Sequence, residues 1–417
     1  MIKTEELQER VILVGAETYA NQATFAVSMS ELASLAKTAG ALVVDEFTQK
    51  KERLDGKYVV GIGKLEDIKL MIESDDIDTV IFNDKLTPRQ NVNLESFLGI
   101  KVIDRMQLIL DIFALRARSH VGMLQVELAQ LKYLLPRLSG SKGLELSRQA
   151  GGIGARGAGE SQLETDRRHI RHRLSIIESQ LKKAEKVQEN SRQKRQDASV
   201  IKIGLIGYTN AGKSSIFNAL TQKIQYEKDE LFATLDATTK EFSLKDEFMV
   251  TLTDTVGFIQ DLPTELVQAF KSTLSESQNV DLLLHVIDAS DPAHTIHEDV
   301  VSGIMKELGM SDIPVLAVYN KLDLAENFAP TVLPNIQISI KNETGVAVLR
   351  QAIIDKIKTL FVSFDMTIPY SEAYRIPMLK KVAIIESIIA QDEDEIYQLS
   401  GYISEKEKWR ITKNELY

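Results

Sequence analysis

The chain has 417 residues, a formal net charge of −10 and no cysteine. This length allows two or three domains with separate cores, and 44% hydrophobic with 26% charged residues is typical of a globular protein. The lack of cysteine excludes disulfides and thiolate metal sites. The sequence contains neither a signal-peptide pattern nor an apolar run of about 18 residues, so we expect no membrane span and a cytoplasmic location.

The charge is unevenly distributed along the chain. Residues 131–200 carry a net charge of +7, and the rest of the chain carries −17. One cationic segment on an acidic body indicates a local contact with a polyanion.

Strand-like and helix-like patterns alternate over residues 1–115. The runs at 11–16, 41–47, 58–62 and 78–82 are short and rich in β-branched residues, and helical patterns cover Met29–Ala39 and Lys64–Ile72. This alternation predicts a small parallel α/β domain. The GIGK turn at 61–64 is expected either to be a tight turn or to hold an anion at a helix N-terminus.

Residues 116–197 show a different pattern. Leucines and other apolar residues recur at steps of three and four from Val121 to Leu138 and again from Leu163 to Ala184. The pattern predicts an antiparallel helical hairpin. Residues 139–160, which hold seven of the 22 glycines, are expected to be an irregular basic loop.

Basic residues cluster around this loop, and they are Lys142, Arg148, Arg156, Arg167, Arg168, Arg171 and Arg173. Such a cluster is either a solvated charged face or an RNA contact, since glycine-rich backbone and guanidinium groups can approach phosphates closely. Few aromatic residues accompany it, so base stacking on a sheet is not expected. The RNA-contact prediction comprises Arg148, Gly154, Arg156, Gly157, Arg167 and Arg168.

Alternation of strands and helices resumes over residues 198–362, which predicts a second α/β domain with a mostly parallel, doubly wound sheet. Residues 363–417 predict a small α+β appendix, with a strand at Met366–Pro369, a helix at Leu379–Ala390 and two further strands.

The second α/β domain begins with a strand, a loop and a helix that fit the pattern GxxxxGK[ST]. The predicted phosphate-binding residues are Gly207, Tyr208, Thr209, Asn210, Ala211, Gly212, Lys213, Ser214 and Ser215. Glycines let the backbone N–H groups turn onto a β-phosphate. Lys213 is predicted to neutralise the β/γ-oxygens, and the Ser214 hydroxyl to bind Mg²⁺.

A second motif, Asp254-Thr255-Val256-Gly257, follows a strand. It predicts a carboxylate for the magnesium site and, at Gly257, a backbone N–H for the γ-phosphate. The segment 231–239 before it is expected to contact nucleotide through Phe232, Ala233 and Thr234. Thr234 is the predicted Mg²⁺ ligand, with Thr238 and Thr239 as alternatives.

A third strand is followed by Asn320-Lys321-Leu322-Asp323, which predicts guanine selection. The Asp323 carboxylate can accept hydrogen bonds from guanine N1–H and the exocyclic amine, which adenine cannot provide. Asn320 is expected to link this loop to the phosphate loop, and the Lys321 stem to cover the ring. The backbone of Ser339, Ile340 and Lys341 is expected to reach guanine O6.

The chain resembles the HflX family of ribosome-associated GTPases, through GGIGARGAGESQLETDRRHI at 151–170, LFATLDATT at 231–239 and DTVGFIQDLP at 254–263. The resemblance spans residues 1 to about 362 and is weakest in the tail that follows. The resemblance implies a monomeric factor that hydrolyses GTP with Mg²⁺. It implies that the factor binds the large ribosomal subunit and its RNA and splits stalled ribosomes. It also implies that the loop Gly151–Gly159 approaches the peptidyl-transferase region.

Phe258 occupies the position at which many GTPases carry a water-orienting glutamine. We therefore expect slow hydrolysis that the ribosome stimulates. Three alternatives stay open: a large-subunit assembly GTPase, an RNA-binding protein that nucleotide merely stabilises, and an ATP-dependent RNA remodeller.

Overall fold

The computed structural model describes residues 8–138, 156–196, 200–221, 231–232, 238–255, 257–260, 279–326 and 328–412. The chain divides into two units, each with its own core. The first comprises residues up to Lys186 together with the described residues Leu231, Phe232 and Gln260, and the second comprises the remaining described residues.

A parallel four-stranded sheet forms the centre of the first unit, in the order β2-β1-β3-β4. The strands are β1 (Arg10–Glu17), β2 (Leu42–Lys50), β3 (Thr79–Phe82) and β4 (Lys101–Asp104). The helices are α1 (Phe25–Thr38), α2 (Ile62–Asp75), α3 (Pro88–Leu98) and α4 (Arg105–Arg116). The core packs β1 and β3 against α2 and α3 through residues such as Ile12, Val80, Ile68 and Leu94. The prediction of a small parallel α/β domain is confirmed.

The strand predicted at 58–62 is wrong, because a turn precedes α2 there. The Asp55 carboxylate accepts hydrogen bonds from the N–H groups of Lys57 and Tyr58, both at 2.8 Å, and these bonds lower the pKa of Asp55. Val59 adopts a left-handed φ of 69°. The N–H of Gly61 donates to the Gln49 side chain at 2.7 Å, so the glycine that begins the GIGK turn already has a polar partner.

The described residues after α4 include the helices α5 (His120–Arg137) and α6 (Arg156–Gln196). Leu124 and Leu128 of α5 pack with Ile177 of α6, and the Arg173 guanidinium contacts the Glu127 carboxylate at 2.6 Å. The loop predicted at 139–160 is wrong for its last five residues, because α6 begins at Arg156. Extending an existing helix costs less than nucleating one, so α6 accommodates Gly157 and Gly159.

The end of α5 is attached to the end of β4 through Asp104, whose side chain is fully buried. Its carboxylate accepts from the Tyr133 hydroxyl at 2.8 Å, from Arg137 at 3.0 Å and from the Leu86 N–H at 3.0 Å. Burial is the main cause of a raised Tyr133 pKa. These contacts fix the first hairpin helix to the α/β layer.

A six-stranded sheet forms the centre of the second unit, in the order β10-β9-β8-β5-β7-β6. The strands are β5 (Ile201–Gly207), β6 (Thr238–Lys245), β7 (Phe248–Asp254), β8 (Leu282–Asp288), β9 (Val315–Asn320) and β10 (Asn335–Gln337). Only β6 is antiparallel to its neighbour among these described strands. The helices among the described residues around this sheet are α7 (Lys213–Thr221), α8 (His294–Glu307) and α9 (Glu343–Leu360). The prediction of a mostly parallel, doubly wound sheet is confirmed.

A three-stranded antiparallel sheet, in the order β11-β13-β12, ends the second unit. Its elements are β11 (Val362–Pro369), α10 (Arg375–Val382), β12 (Ala383–Gln391), β13 (Ile396–Ile403) and α11 (Trp409–Thr412). The prediction of an α+β appendix is confirmed, but the helix predicted at Leu379–Ala390 is wrong beyond Val382. There the isoleucine-rich run pairs with β13 and buries Ile384, since β-branched residues pack well on a sheet. The described residues contain no helix of the length and apolarity that a membrane span requires.

Candidate nucleotide-binding site

The phosphate loop joins β5 to α7, and two of its glycines are required by close contacts. A Cβ at Gly207 would lie 2.2 Å from the Val286 carbonyl oxygen. Gly212 has a φ of +98°, and a Cβ there would lie 2.3 Å from Asn320 Nδ2. Larger residues at either position would displace the loop, because such distances are below van der Waals contact.

The buried Lys213 ammonium lies against the loop backbone. It donates to the carbonyl oxygens of Gly207 at 3.0 Å and Tyr208 at 2.6 Å. Burial lowers the Lys213 pKa to about 8, and the nearby negative charge of Asp254 partly opposes that shift. The carbonyls hold this cation where the loop curves, and phosphate oxygens are chemically suited to replace them.

Two oxygen side chains meet at the start of α7. The Ser214 hydroxyl donates to Asp254 Oδ2 at 2.9 Å, and Asp254 is fully buried at the end of β7. A hydroxyl and a carboxylate are the ligand types that Mg²⁺ prefers, so these residues fit a magnesium site. The third predicted ligand, Thr234, lies outside the described residues, as do Ala233 and Val256.

The chain after Asp254 pairs with the phosphate loop. The Phe258 N–H donates to the Gly207 carbonyl at 3.2 Å, and the Thr209 N–H donates to the Phe258 carbonyl at 2.7 Å. A Cβ at Gly257 would lie 2.9 Å from Thr209 Cα and 3.0 Å from Lys213 Nζ. The Phe258 ring is buried, and the neighbouring Thr255 hydroxyl donates to the Leu205 carbonyl at 2.6 Å.

Asn320 joins three loops of the site, and the predicted link to the phosphate loop is present. Its Nδ2 donates to the Ala211 carbonyl at 3.1 Å, and its Oδ1 accepts from the Ile340 N–H at 3.1 Å. The side chain is 1% exposed. The Ile340 N–H, which was expected to face guanine O6, is therefore donated to Asn320 in this structure.

Asp323 and Lys321 lie beside this junction. The Asp323 carboxylate is exposed, and the Ser339 hydroxyl is the main cause of its lowered pKa, with a smaller contribution from Lys341. Lys321 has a left-handed φ of 61°, and its Nζ contacts Asp288 Oδ2 at 2.7 Å. The sequence reasoning missed Asp288. The available signal was its position at the end of a buried strand next to the strand that carries Asn320.

Other predicted residues make contacts of their own. The Tyr208 ring stacks on His297 with centroids 3.7 Å apart, and burial lowers the His297 pKa. Asn210 has a left-handed φ of 59°, and Ser215 follows Ser214 in α7. The Phe232 ring, in the first unit, packs edge-on against Phe113 at 4.5 Å, so its expected nucleotide contact stays a prediction.

The predicted RNA contacts lie mainly on α6. Arg156 and Gly157 begin that helix, whereas Arg148 and Gly154 lie outside the described residues. Arg168 is exposed and Arg167 is half-buried. Arg173, which the basic cluster included, forms two bonds to the Glu127 carboxylate at 2.6 and 2.8 Å.

Comparison with known proteins supports the interpretation of these loops as those of a GTPase. Three protein-family models match: a GTP-binding GTPase N-terminal region over residues 26–114, a GTP-binding GTPase middle region over 116–195, and a 50S ribosome-binding GTPase over 202–321. A GTPase HflX from Alkalihalophilus pseudofirmus is 47% identical over 95% of this chain and 94% of its own length. The chain belongs to the HflX family of GTPases. The predicted family and the predicted GTPase activity are confirmed.

Further relatives extend this similarity. The GTPase HflX of Caldanaerobacter subterraneus is 48% identical over 88% of this chain and 85% of its own length, and that of Escherichia coli is 41% identical over 87% and 86%. Among solved structures, the chain is similar to a GTP-binding protein from Sulfolobus solfataricus in complex with GDP. That similarity has 24% identity, covers 84% of this chain and 99% of that chain, and has a TM-score of 0.44.

Proposed function

We propose that this HflX-family GTPase is a cytoplasmic factor that binds the large ribosomal subunit and dissociates stalled ribosomes in a GTP-driven cycle. The observation that carries the proposal is the pair of hydrogen bonds made by Asn320. They join the phosphate loop to the backbone of Ile340, in the segment expected to contact guanine. Ala211 and Asn320 of this junction lie within residues 202–321, which match the family model described as a 50S ribosome-binding GTPase.

Guanine is selected by Asp323 in this proposal. The exposed carboxylate is ionised at neutral pH, since its pKa lies below the usual value of an aspartate, so it can accept from both N1–H and the exocyclic amine of guanine. Adenine would leave the carboxylate without these donors.

The phosphates bind against Gly207–Ser214, where Lys213 exchanges loop carbonyls for β/γ-oxygens. Ser214, Asp254 and Thr234 are the proposed Mg²⁺ ligands. Mg²⁺, when bound, neutralises charge on the phosphate oxygens. Gly257 provides the space beside Thr209 and Lys213 that a γ-phosphate contact from its N–H requires.

Hydrolysis by the isolated protein is slow in this proposal. The Phe258 ring is buried and has no hydrogen-bonding group, so it cannot orient water. The ribosome is expected to supply or order the missing group and to raise turnover.

The basic hairpin is the proposed contact with ribosomal RNA, through Arg156 and Arg168 in particular. The exposed Arg168 is available for phosphate, whereas Arg173 is held by Glu127. We therefore expect Arg168→Ala to weaken binding to large subunits and Arg173→Ala to leave it nearly unchanged. Equal losses in a sedimentation assay would contradict this assignment.

Light scattering of intact ribosomes tests the proposed function. Wild-type protein with GTP is expected to lower the scattering as subunits separate, and Lys213→Ala is expected to have no effect. Absence of dissociation at every protein concentration would refute ribosome splitting and favour a role in large-subunit assembly. Equal dissociation by Lys213→Ala would indicate an RNA-binding protein that nucleotide only stabilises.

A further inference from the structure

We propose that Asp288, outside all of the nucleotide motifs, is a positioning residue for the guanine base, because it holds the Lys321 side chain along the face of the ring. The inference rests on the proposed assignment of Asn320–Asp323 to guanine. It adds a residue from a different strand to that site.

The contact between the two side chains is short and partly shielded. Lys321 Nζ lies 2.7 Å from Asp288 Oδ2, and the two side chains are 23% and 19% exposed. The other carboxylate oxygen, Oδ1, accepts from the Ser290 N–H at 3.0 Å and from the Ser290 hydroxyl at 2.6 Å. Because both oxygens are engaged, the carboxylate has a fixed orientation, and so does the ammonium bound to it.

The sheet places Asp288 next to Asn320–Asp323, the proposed guanine-binding loop. Asp288 is the register partner of Asn320 in the parallel β8–β9 pair, and the Ala289 N–H donates to the Asn320 carbonyl at 2.8 Å. Lys321 is the next residue after Asn320. The carboxyl ends of adjacent parallel strands meet at one edge of the sheet, where ligands bind in such folds.

The backbone at Lys321 also needs support. Its φ of 61° is in the left-handed region, which a residue with a side chain rarely adopts. The Leu322 N–H, which donates to the Ile338 carbonyl at 3.2 Å, and the Asp288 contact hold the turn on both sides. The aliphatic stem of Lys321 is therefore ordered before nucleotide arrives.

Pre-ordering the stem affects affinity in a particular way. Without the Asp288 contact, a long flexible side chain would become ordered only upon binding, which reduces affinity by roughly 3- to 10-fold. The stem contacts the ring face, which guanine and hypoxanthine share. The loss is therefore expected to be the same for GDP and for inosine diphosphate, which lacks the exocyclic amine.

The test is titration of GDP and inosine diphosphate into four variants of the full-length protein. Asp288→Asn and Lys321→Met, which keeps the apolar stem, are each expected to weaken both nucleotides roughly 3- to 10-fold. The double variant is expected to lose no more than either single one. Ser290→Ala removes the hydroxyl bond to Asp288 Oδ1 but keeps the bond from the Ser290 N–H, so it is expected to weaken both nucleotides less than Asp288→Asn does.

Several outcomes would overturn the inference: unchanged binding by Lys321→Met, additive losses in the double variant, or a loss in Ser290→Ala equal to that in Asp288→Asn. If Asp288→Asn does not fold, Lys321→Met and Ser290→Ala still decide. Asp323→Asn separates this inference from the proposed guanine site, because it is expected to reduce the preference for GDP over inosine diphosphate. An unchanged preference there would refute the site assignment, whereas a changed preference with unaffected Asp288→Asn would refute only the role of Asp288.

Discussion

Replacing Asn320 with alanine removes the junction that holds the site together. Its two hydrogen bonds, at 3.1 Å each, are lost, and the Ala211 carbonyl and Ile340 N–H lose these partners in an interior where Asn320 is 1% exposed. Leaving a buried polar group without its partner costs about 1–3 kcal/mol. We therefore expect Asn320→Ala to lower the free energy of unfolding of the second unit by about 2–4 kcal/mol.

Trp409 provides the assay, because it is the only tryptophan in the chain and belongs to the second unit. With a urea dependence of about 3 kcal/mol per molar, the expected loss shifts the unfolding midpoint down by about 1 M. Asn335→Ala is the matched control, since it removes one partly buried bond to the Val332 carbonyl at 2.7 Å. It is expected to cost less than about 1 kcal/mol. Equal midpoints for the two variants would refute the reasoning.

Three further predictions follow from the geometry of the site and of the hairpin. Gly257→Ala introduces a Cβ 2.9 Å from Thr209 Cα, so we expect GTP turnover to fall by about 10- to 100-fold through overpacking, and unchanged turnover would contradict this. Above pH 8, Lys213 is largely neutral in the nucleotide-free protein. GDP binding is therefore expected to be coupled to uptake of a proton by Lys213, because the phosphates favour its charged form. Calorimetry in buffers of different ionisation enthalpy is expected to show uptake approaching one proton near pH 9 and almost none near pH 6.5, and absence of uptake near pH 9 would refute the assigned pKa. Asp104→Ala leaves the Arg137 cation without its buried partner, which costs about 3–5 kcal/mol; hydrogen exchange across α5 is expected to accelerate, and full protection would contradict that role of Asp104.

The nucleotide motifs were predictable because their chemistry is local. Asp254 and Asn320 end buried strands and Lys213 begins the helix that follows one, and parallel strands bring such ends to one edge of the sheet. The link from Asn320 to the phosphate loop was predicted, whereas the bond from the Ile340 N–H to Asn320 depends on how the loops turn and was not visible in the spacing.

The wrong secondary-structure predictions arose where contacts with other residues determined the structure more strongly than the local sequence pattern. The run after Val382 has helical periodicity, but its residues form an antiparallel pair with β13. This pairing involves residues outside the segment from which the helix was predicted. Likewise, the apolar run at 58–62 resembles a strand, yet the Asp55 carboxylate accepts hydrogen bonds from the N–H groups of Tyr58, the first residue of the run, and of Lys57 before it. Asp288 was missed for a related reason, because its partner Lys321 follows β9, a strand that is adjacent to β8 in space and distant from it in sequence.

Turnover of GTP with and without purified large ribosomal subunits tests the central proposal most directly. The buried Phe258 ring predicts slow hydrolysis by the isolated protein and at least a tenfold increase with large subunits, since a supplied or ordered catalytic group is worth that much or more. Fast hydrolysis by the protein alone, or a rate that large subunits do not change, would contradict the account.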